Sequence, residues 1–450
     1  MMGSCHSHRY RTMSHTVDNT VRTIKKNLDQ GVFDWDVSRR ELQDNNRKIA
    51  ELAPQDRNEV VKKLSDDDLK NWTQEIDGEN EPLTASERGE LFGHLAEGLD
   101  GEQLARVSRA FDGSPGGRVA LGSAVASHAS PQAKVAFIEA VKNDIDGDYK
   151  ALQGRDGNAE ALVTADVLAS LKNHPGEFNL AVGSLGTDQL QAVMKVGFGR
   201  VYIAHGPNGL AQTGGSQLFS PQATLDILDA AARSPDARTK AQVFMAAMGD
   251  DVRTLSSGTP FEPQVRDAVK RLVDSDPHGL VYELKERSDP SGASLVTYME
   301  DLMEKGKPGE VNDLIGALRN DPDGPNSAVV DLSAKEGEVL GFTIGATTTA
   351  INNRSDSAEA KADQLKNLFG AAFGVVGSSN GVTGGASAAA NAIVADAFDQ
   401  AVLNVKDNNG KVQDAIYQAA LPRDEDGFLV KGAGRDAFHD ALSTFVGRSG

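Results

Sequence analysis

The chain has 450 residues, 39% apolar and only 5% aromatic, with 46 Lys and Arg against 65 Asp and Glu and a formal net charge of −19. Such a length exceeds what one hydrophobic core supports, so more than one structural unit is expected, with cores filled by Ala, Leu and Val. The charge repels polyphosphate and no compact Lys/Arg block offsets it, which argues against nucleic acid; the single cysteine, Cys5, rules out an intramolecular disulfide and a cysteine-based zinc site.

In chain order, residues 1–16 read as a disordered leader with Met13 as its natural beginning. The first ten residues lack the apolar stretch of a secretory signal. Met2-Gly3 superficially fits a myristoylation pattern, with nothing else pointing to a lipid anchor. An N-terminal helical region follows over 17–94, where Val21, Ile24 and Leu28 share one helix face. Thr84-Ala85-Ser86-Glu87 is a capping box, because hydroxyl and carboxylate can satisfy each other's orphan amides, and Leu91, Phe92 and Leu95 form the buried stripe behind it. Ser130-Pro131 and Ser220-Pro221 each place a serine cap before a proline at the first helical position. Clusters at Asp112–Gly117 and Asp321–Pro325 punctuate the helices. Arg200–Ile203 alone has strand character. The expected fold class is all-α, with degenerate multi-helix repeats followed by a Gly/Ala-rich helical hairpin domain.

The repeat rests on two markers. Leu-x-x-acid-polar-Leu occurs at Leu64–Leu69, Leu99–Leu104 and Leu185–Leu190, and Ser-Pro-Gln-Ala begins at Ser130 and again at Ser220. The last two leucine motifs lie 86 residues apart and the Ser-Pro-Gln-Ala motifs 90 apart, in the same order. That points to a duplicated unit over 95–180 and 181–275, with connecting helices over 276–325. Chance recurrence of helix-start chemistry is the alternative. Ala53-Pro54-Gln55 fits the start of a more diverged copy.

From 326 to 450 the composition changes. Val339–Asn353 and Asn367–Ala395 carry no charge and are rich in Gly, Ala, Ser and Thr. Gly341-x-x-x-Gly345 and Gly370-x-x-x-Gly374 have the spacing that lets helix backbones approach closely. Gly341, Gly345, Gly370 and Gly374 are therefore the expected hairpin-packing residues, with a turn at Gly377–Gly381 and a charged amphipathic link over Asp356–Lys366. Neither half supplies the roughly 20 apolar residues of a spanning helix. A closely packed hairpin outside the membrane is expected, with conditional insertion as the alternative.

Gly377-Ser378-Ser379-Asn380-Gly381 formally matches Gly-x-Ser-x-Gly, the elbow that exposes a nucleophilic serine, and Asp396 or Asp399 and then His439 follow in hydrolase order. The elbow requires buried strands before it, whereas the preceding chain reads as helical, so Ser379 reads as part of an interhelical turn. His205, in Ala204-His205-Gly206-Pro207, is a loop histidine, and no two histidines have His-x-x-x-His spacing. Asp144–Asp148 lacks the glycine of a calcium loop, since Tyr149 stands at its sixth position. No cofactor or metal constellation emerges. The candidate catalytic residues are Ser379, His439 and His205.

Val32-Phe33-Asp34-Trp35-Asp36-Val37, Lys63–Trp72 and Leu225–Ala232 carry a resemblance, together with the small-residue run from Gly370 to Ala395 and the following Asp414–Pro422. They resemble the helical modules upstream of toxin domains in large exported bacterial proteins of the polymorphic-toxin type. The resemblance spans most of the chain from residue 17 onward. It implies a bacterial protein linked to export, delivery or contact with other cells. It carries over no catalytic residues, since such modules are not the toxic part, and nothing before Gly450 resembles an enzymatic toxin domain.

The expected function is a non-enzymatic helical interaction or scaffold protein with a protein partner and no cofactor, either an exported effector or the carrier module of a toxin. Its expected location is the bacterial cytoplasm, or outside it by a route independent of a signal peptide. The alternatives are a membrane-active toxin that inserts the Gly/Ala-rich hairpin and a hydrolase using Ser379.

Overall fold

The computed structural model describes residues 5–29, 37–76, 83–111, 114–145, 159–196, 201–203, 216–218, 221–249, 252–253, 256–307, 309–319, 330–373, 402–403, 405–407, 412, 430–431 and 433–445. The fold is all-α, and among the described residues two short strand pairs are the only extended elements. The chain divides into unit 1, Met1–Pro235 with Asp250–Val269, and unit 2, Asp236–Gly249 with Lys270–Gly450.

Unit 1 begins with α1 (Cys5–Leu28). The leader expected to be disordered over 1–16 is thus helical from Cys5 onward. No glycine or proline interrupts the stretch, and Val17, Thr20, Ile24 and Leu28 bury one face that anchors the helix from its C-terminal half. Then come α2 (Arg39–Ala50), α3 (Pro54–Lys63), α4 (Asp66–Ile76), α5 (Ala85–Gly98) and α6 (Gly101–Ala110). They are followed by α7 (Pro115–His128), α8 (Pro131–Val141), α9 (Ala159–Ser170), α10 (Pro175–Ser184), α11 (Thr187–Lys195) and α12 (Pro221–Arg233). The Thr84–Glu87 capping box forms: the Glu87 amide donates to Thr84 Oγ1 at 3.2 Å, and the Thr84 amide donates to Glu87 Oε2 at 2.8 Å.

One device recurs in this unit. The pairs α3–α4, α5–α6, α7–α8 and α10–α11 are each joined by two residues: Leu64-Ser65, Leu99-Asp100, Ala129-Ser130 and Leu185-Gly186. The first residue of each link is extended, with ψ of 137°, 146°, 150° and 140°, and is buried. The second starts the next helix. Asp100 Oδ1 accepts from the Gln103 amide at 2.9 Å, Ser130 Oγ from Ala133 at 3.2 Å and Ser65 Oγ from Asp68 at 3.1 Å. Gly186 has no side chain to cap with, and its own amide donates to Gln189 Oε1 at 2.8 Å. A connection this short returns the second helix alongside the first.

The hairpins stack in two rows. α3 packs on α5, α5 on α7, α7 on α9 and α9 on α12; beside them α4 packs on α6, α6 on α8 and α8 on α10. The leucine motifs are the links themselves: Leu64, Leu99 and Leu185 are the buried link residues, and Leu69, Leu104 and Leu190 point into the core five positions later. α7 lies between the Leu99 and Ser130 motifs, whereas β1 (Val201–Ile203) and β2 (Ser216–Leu218), an antiparallel pair, lie between the Leu185 and Ser220 motifs. The leucine motifs and the Ser130 motif mark helix-to-helix links, and they recur with the hairpin.

Arginines satisfy carbonyls that helix ends leave open. Arg57 of α3, itself buried, donates from Nε to the Ile49 and Leu52 carbonyls at 3.1 Å and from Nη1 to the His94 carbonyl at 2.9 Å. Arg106 of α6 donates from Nη2 to the Leu64 carbonyl at 3.1 Å. Both join the end of one helix to a helix beyond its own hairpin partner. Glu87 does the same between α5 and α2, accepting from Gln43 Nε2 at 2.7 Å and Arg39 Nη2 at 2.9 Å.

Unit 2 contains α13 (Ala237–Ala247), the C-terminal part of α14 (Glu262–Ser275), and α15 (Pro277–Glu283), which runs on into a π-helical turn at Leu284–Ser288. Next are α16 (Ala293–Lys305), α17 (Glu310–Arg319), α18 (Ala334–Asn353) and α19 (Ala358–Phe373), and then α20 (Gly434–Ser443). β3 (Val330–Asp331) pairs in parallel with β4 (Val430–Lys431), so α18 and α20, which follow these strands, start side by side. α18 is the hub: α15, α16, α17, α19 and α20 all pack on it. It lacks charge from Val339 to Asn353, which allows burial on every side. Its buried threonines are satisfied within the helix, Thr343 Oγ1 donating to the Val339 carbonyl at 2.9 Å and Thr347 Oγ1 to the Thr343 carbonyl at 2.7 Å. Most of the charged link expected over 356–366 is part of α19, where Ala362, Leu365 and Leu368 form a buried stripe.

Leu104→Ala is expected to destabilise unit 1 by about 2–5 kcal/mol and Asp100→Ala by about 1 kcal/mol, read by urea unfolding followed by circular dichroism. Hydrogen bonds from Gln43 and then from Thr84 hold the Glu87 carboxyl well below its usual 4.5, at about 2. The stabilisation from this depressed value is complete above pH 4.5 and is lost as pH falls toward 2. Glu87→Gln should remove that part of the acid sensitivity, seen as a difference between the two acid-unfolding curves.

Candidate functional site

Gly341 and Gly345 lie close against the C-terminal segment of the described chain. A Cβ on Gly341 would collide with the Phe438 backbone carbonyl of α20, and one on Gly345 with the Phe445 ring. Gly337, one helical step earlier, meets the Gly434 backbone in the same way, and the Gly434 amide donates to the Leu332 carbonyl at 2.8 Å. Gly337, Gly341 and Gly345 thus form one ridge at intervals of four, seated on α20, and the Phe342 and Phe445 rings close it at 5.1 Å between centroids. Gly370 lies in α19; Gly374 lies outside the described residues, as does the turn expected at 377–381. Sequence reading missed Gly337 and Gly434. The spacing of four among 337, 341 and 345 was a visible signal, whereas nothing local to Gly434 announces its partner.

Of the catalytic candidates, Ser379 and His205 lie outside the described residues, with Asp396 and Asp399. His439 sits on α20, half-buried, its ring edge-on to Phe438 at 5.6 Å. Burial, and then the nearby Arg435 charge, lower its pKa below the usual imidazole range. The neutral imidazole is therefore favoured. Among the described residues no group of three His, Cys, Asp or Glu side chains has the arrangement to hold a metal ion. No helix among them is long and apolar enough to cross a membrane.

Three further features have chemical content. The first is a cavity of about 290 Å³ in unit 2, between α16, α17, α18 and α19. Leu302, Ile351 and Leu368 make its apolar floor with the buried Thr347, while Lys307, Asn312 and Asn367 line its polar side. Gly309, at φ +100°, shapes the turn between α16 and α17 in a conformation that side chains rarely adopt. The second is Lys134 of α8. It stands five residues after a link, where the three leucine motifs place Leu69, Leu104 and Leu190, and burial lowers its pKa. The third is α10, the last helix of the second row, where Leu180 is 66% exposed. Gly176 and Gly183 flank it at helical spacing, with nothing within 4 Å of where their side chains would be.

The glycine ridge makes a contrast that can be measured. Gly341→Ala should destabilise unit 2 by about 1–3 kcal/mol through overpacking against α20. Gly316→Ala, on an open face of α17, should leave stability unchanged or raise it by up to about 1 kcal/mol. Chemical denaturation of the two variants distinguishes a packing glycine from an incidental one. Compared with known proteins, the chain matches no family model, no curated protein and no solved structure.

Proposed function

We propose that this chain is a non-enzymatic helical scaffold that binds a protein partner through unit 1. The resemblance of its segments to modules of polymorphic-toxin-type proteins places it, in this reading, as an exported bacterial effector or a toxin carrier. The observation that carries the proposal is the two-row stack of hairpins. Stacked helical pairs expose long continuous faces whose outer residues are free to vary, while the link leucines and caps hold the frame.

The second row ends on α10, and Leu180 is the large apolar side chain exposed there. In a chain with net charge −19, an uncharged helix face at the end of a stack suits a partner that adds an apolar helix or strand. The acidic remainder of the surface disfavours polyanions and so narrows the partner to protein.

A photo-crosslinking residue at Leu180 or at the exposed Gln132, introduced into the full chain in bacterial cells, should give a discrete adduct with one protein. Leu180→Glu should lower recovery of that protein about tenfold, as loss of a central apolar anchor does, with helicity unchanged. Absence of adducts from both positions, or recovery insensitive to Leu180→Glu, would overturn the proposal.

A further inference from the structure

The unit 2 cavity has a polarity unusual for this chain. Acidic residues outnumber basic ones by 65 to 46, yet among the described residues none that lines the cavity carries a carboxylate, and one of them, Lys307, is a cation. Lys307 is exposed; its backbone amide donates to Glu310 Oε2 at 3.0 Å, and among the described residues its ammonium has no hydrogen-bond or ion-pair partner. The same holds for the side-chain amides of Asn312 and Asn367. Of the other polar groups at the cavity, Gln364 Nε2 donates to Asp356 Oδ2 at 2.9 Å while its Oε1 is a buried acceptor with no partner among the described residues, and Thr347 Oγ1 donates to the Thr343 carbonyl. Lys307 and Asn367 are exposed and Asn312 is half-buried, while the buried Leu302, Ile351 and Leu368 supply the apolar part of the same lining.

We propose that this cavity binds a small amphiphilic carboxylate, its chain on the floor and its carboxylate between Lys307 and the two asparagines. A floor of aliphatic side chains selects the chain by burial. An ammonium with two amide donors selects the anionic head by charge-assisted hydrogen bonds, with the neighbouring Glu310 carboxylate turned to the Lys307 backbone amide. Size sets the class: at about 30 Å³ per heavy atom, a water's share of liquid volume, 290 Å³ accommodates roughly ten heavy atoms, the size of a medium-chain fatty acid. This inference is independent of partner binding through unit 1.

The test uses octanoate and octylamine, which share a chain and differ in the sign of the head group, titrated calorimetrically into the full-length protein. Octanoate is expected to saturate a single site and octylamine to give no saturable signal. Lys307→Glu, at an exposed position where folding is not at stake, should weaken octanoate binding about tenfold or more, the loss expected for a charged hydrogen bond. Met303→Trp, which fills the cavity from its partly exposed wall, should abolish binding with helicity unchanged. No octanoate binding, equal binding of octylamine, or octanoate binding that survives both substitutions would each overturn the proposal.

Discussion

Two residues between successive helices leave the chain almost no choice, and unit 1 depends on that constraint. The first residue must be extended for the chain to reverse, and its side chain then points into the angle between the helices, where only an apolar group is stable. The second must start a helix whose first amides have no intrahelical partners, so it carries an oxygen-bearing side chain or, at Gly186, receives one from Gln189. Leu64-Ser65, Leu99-Asp100 and Ala129-Ser130 meet both demands. Each hairpin then presents two faces, and the next hairpin covers them, which generates the two rows.

Stacking leaves carbonyls open at the hairpin ends, and this explains why buried cations occur in so apolar a frame. Arg57 stands five residues after Leu52, at the position that Leu69 and Leu104 occupy after their links, and it serves carbonyls of α2 and α5 instead of packing as a leucine would. Its guanidinium offers five donors in a rigid fork and so satisfies several acceptors at once. Lys134, at the corresponding position in α8, is desolvated without such a set of carbonyls, and its pKa moves down accordingly.

Unit 2 is organised by contact distance instead. α18 touches α20 backbone to backbone at Gly337 and Gly341, which bring no side chain to the contact, and Gly345 makes room for the Phe445 ring. Such proximity maximises dispersion contact between helices that have few large apolar groups. It also makes α18 a helix buried on all sides, with Thr343 and Thr347 returning their hydroxyls to its own carbonyls. The cavity lies where this economy of side-chain volume ends, toward α17 and α19, and its floor is built from α16, α18 and α19 together.

Much of this was legible locally. The Thr84–Glu87 box, the Ser130 cap, the leucine motifs and the strand character at Val201–Ile203 each depend on neighbours within a few residues, so the amino-acid order determined them. It also determined the all-α class and the suitability of Gly341 and Gly345 for close approach. The leucine motifs fall on links between helices, and sequence offsets alone do not distinguish a recurring link from a repeat boundary. What only the tertiary structure decided was partnership over long separations. Gly341 finds Phe438, Arg57 finds the His94 carbonyl, and Lys307 joins Asn367 at one cavity because packing of whole helices, rather than any local preference, brings those positions together.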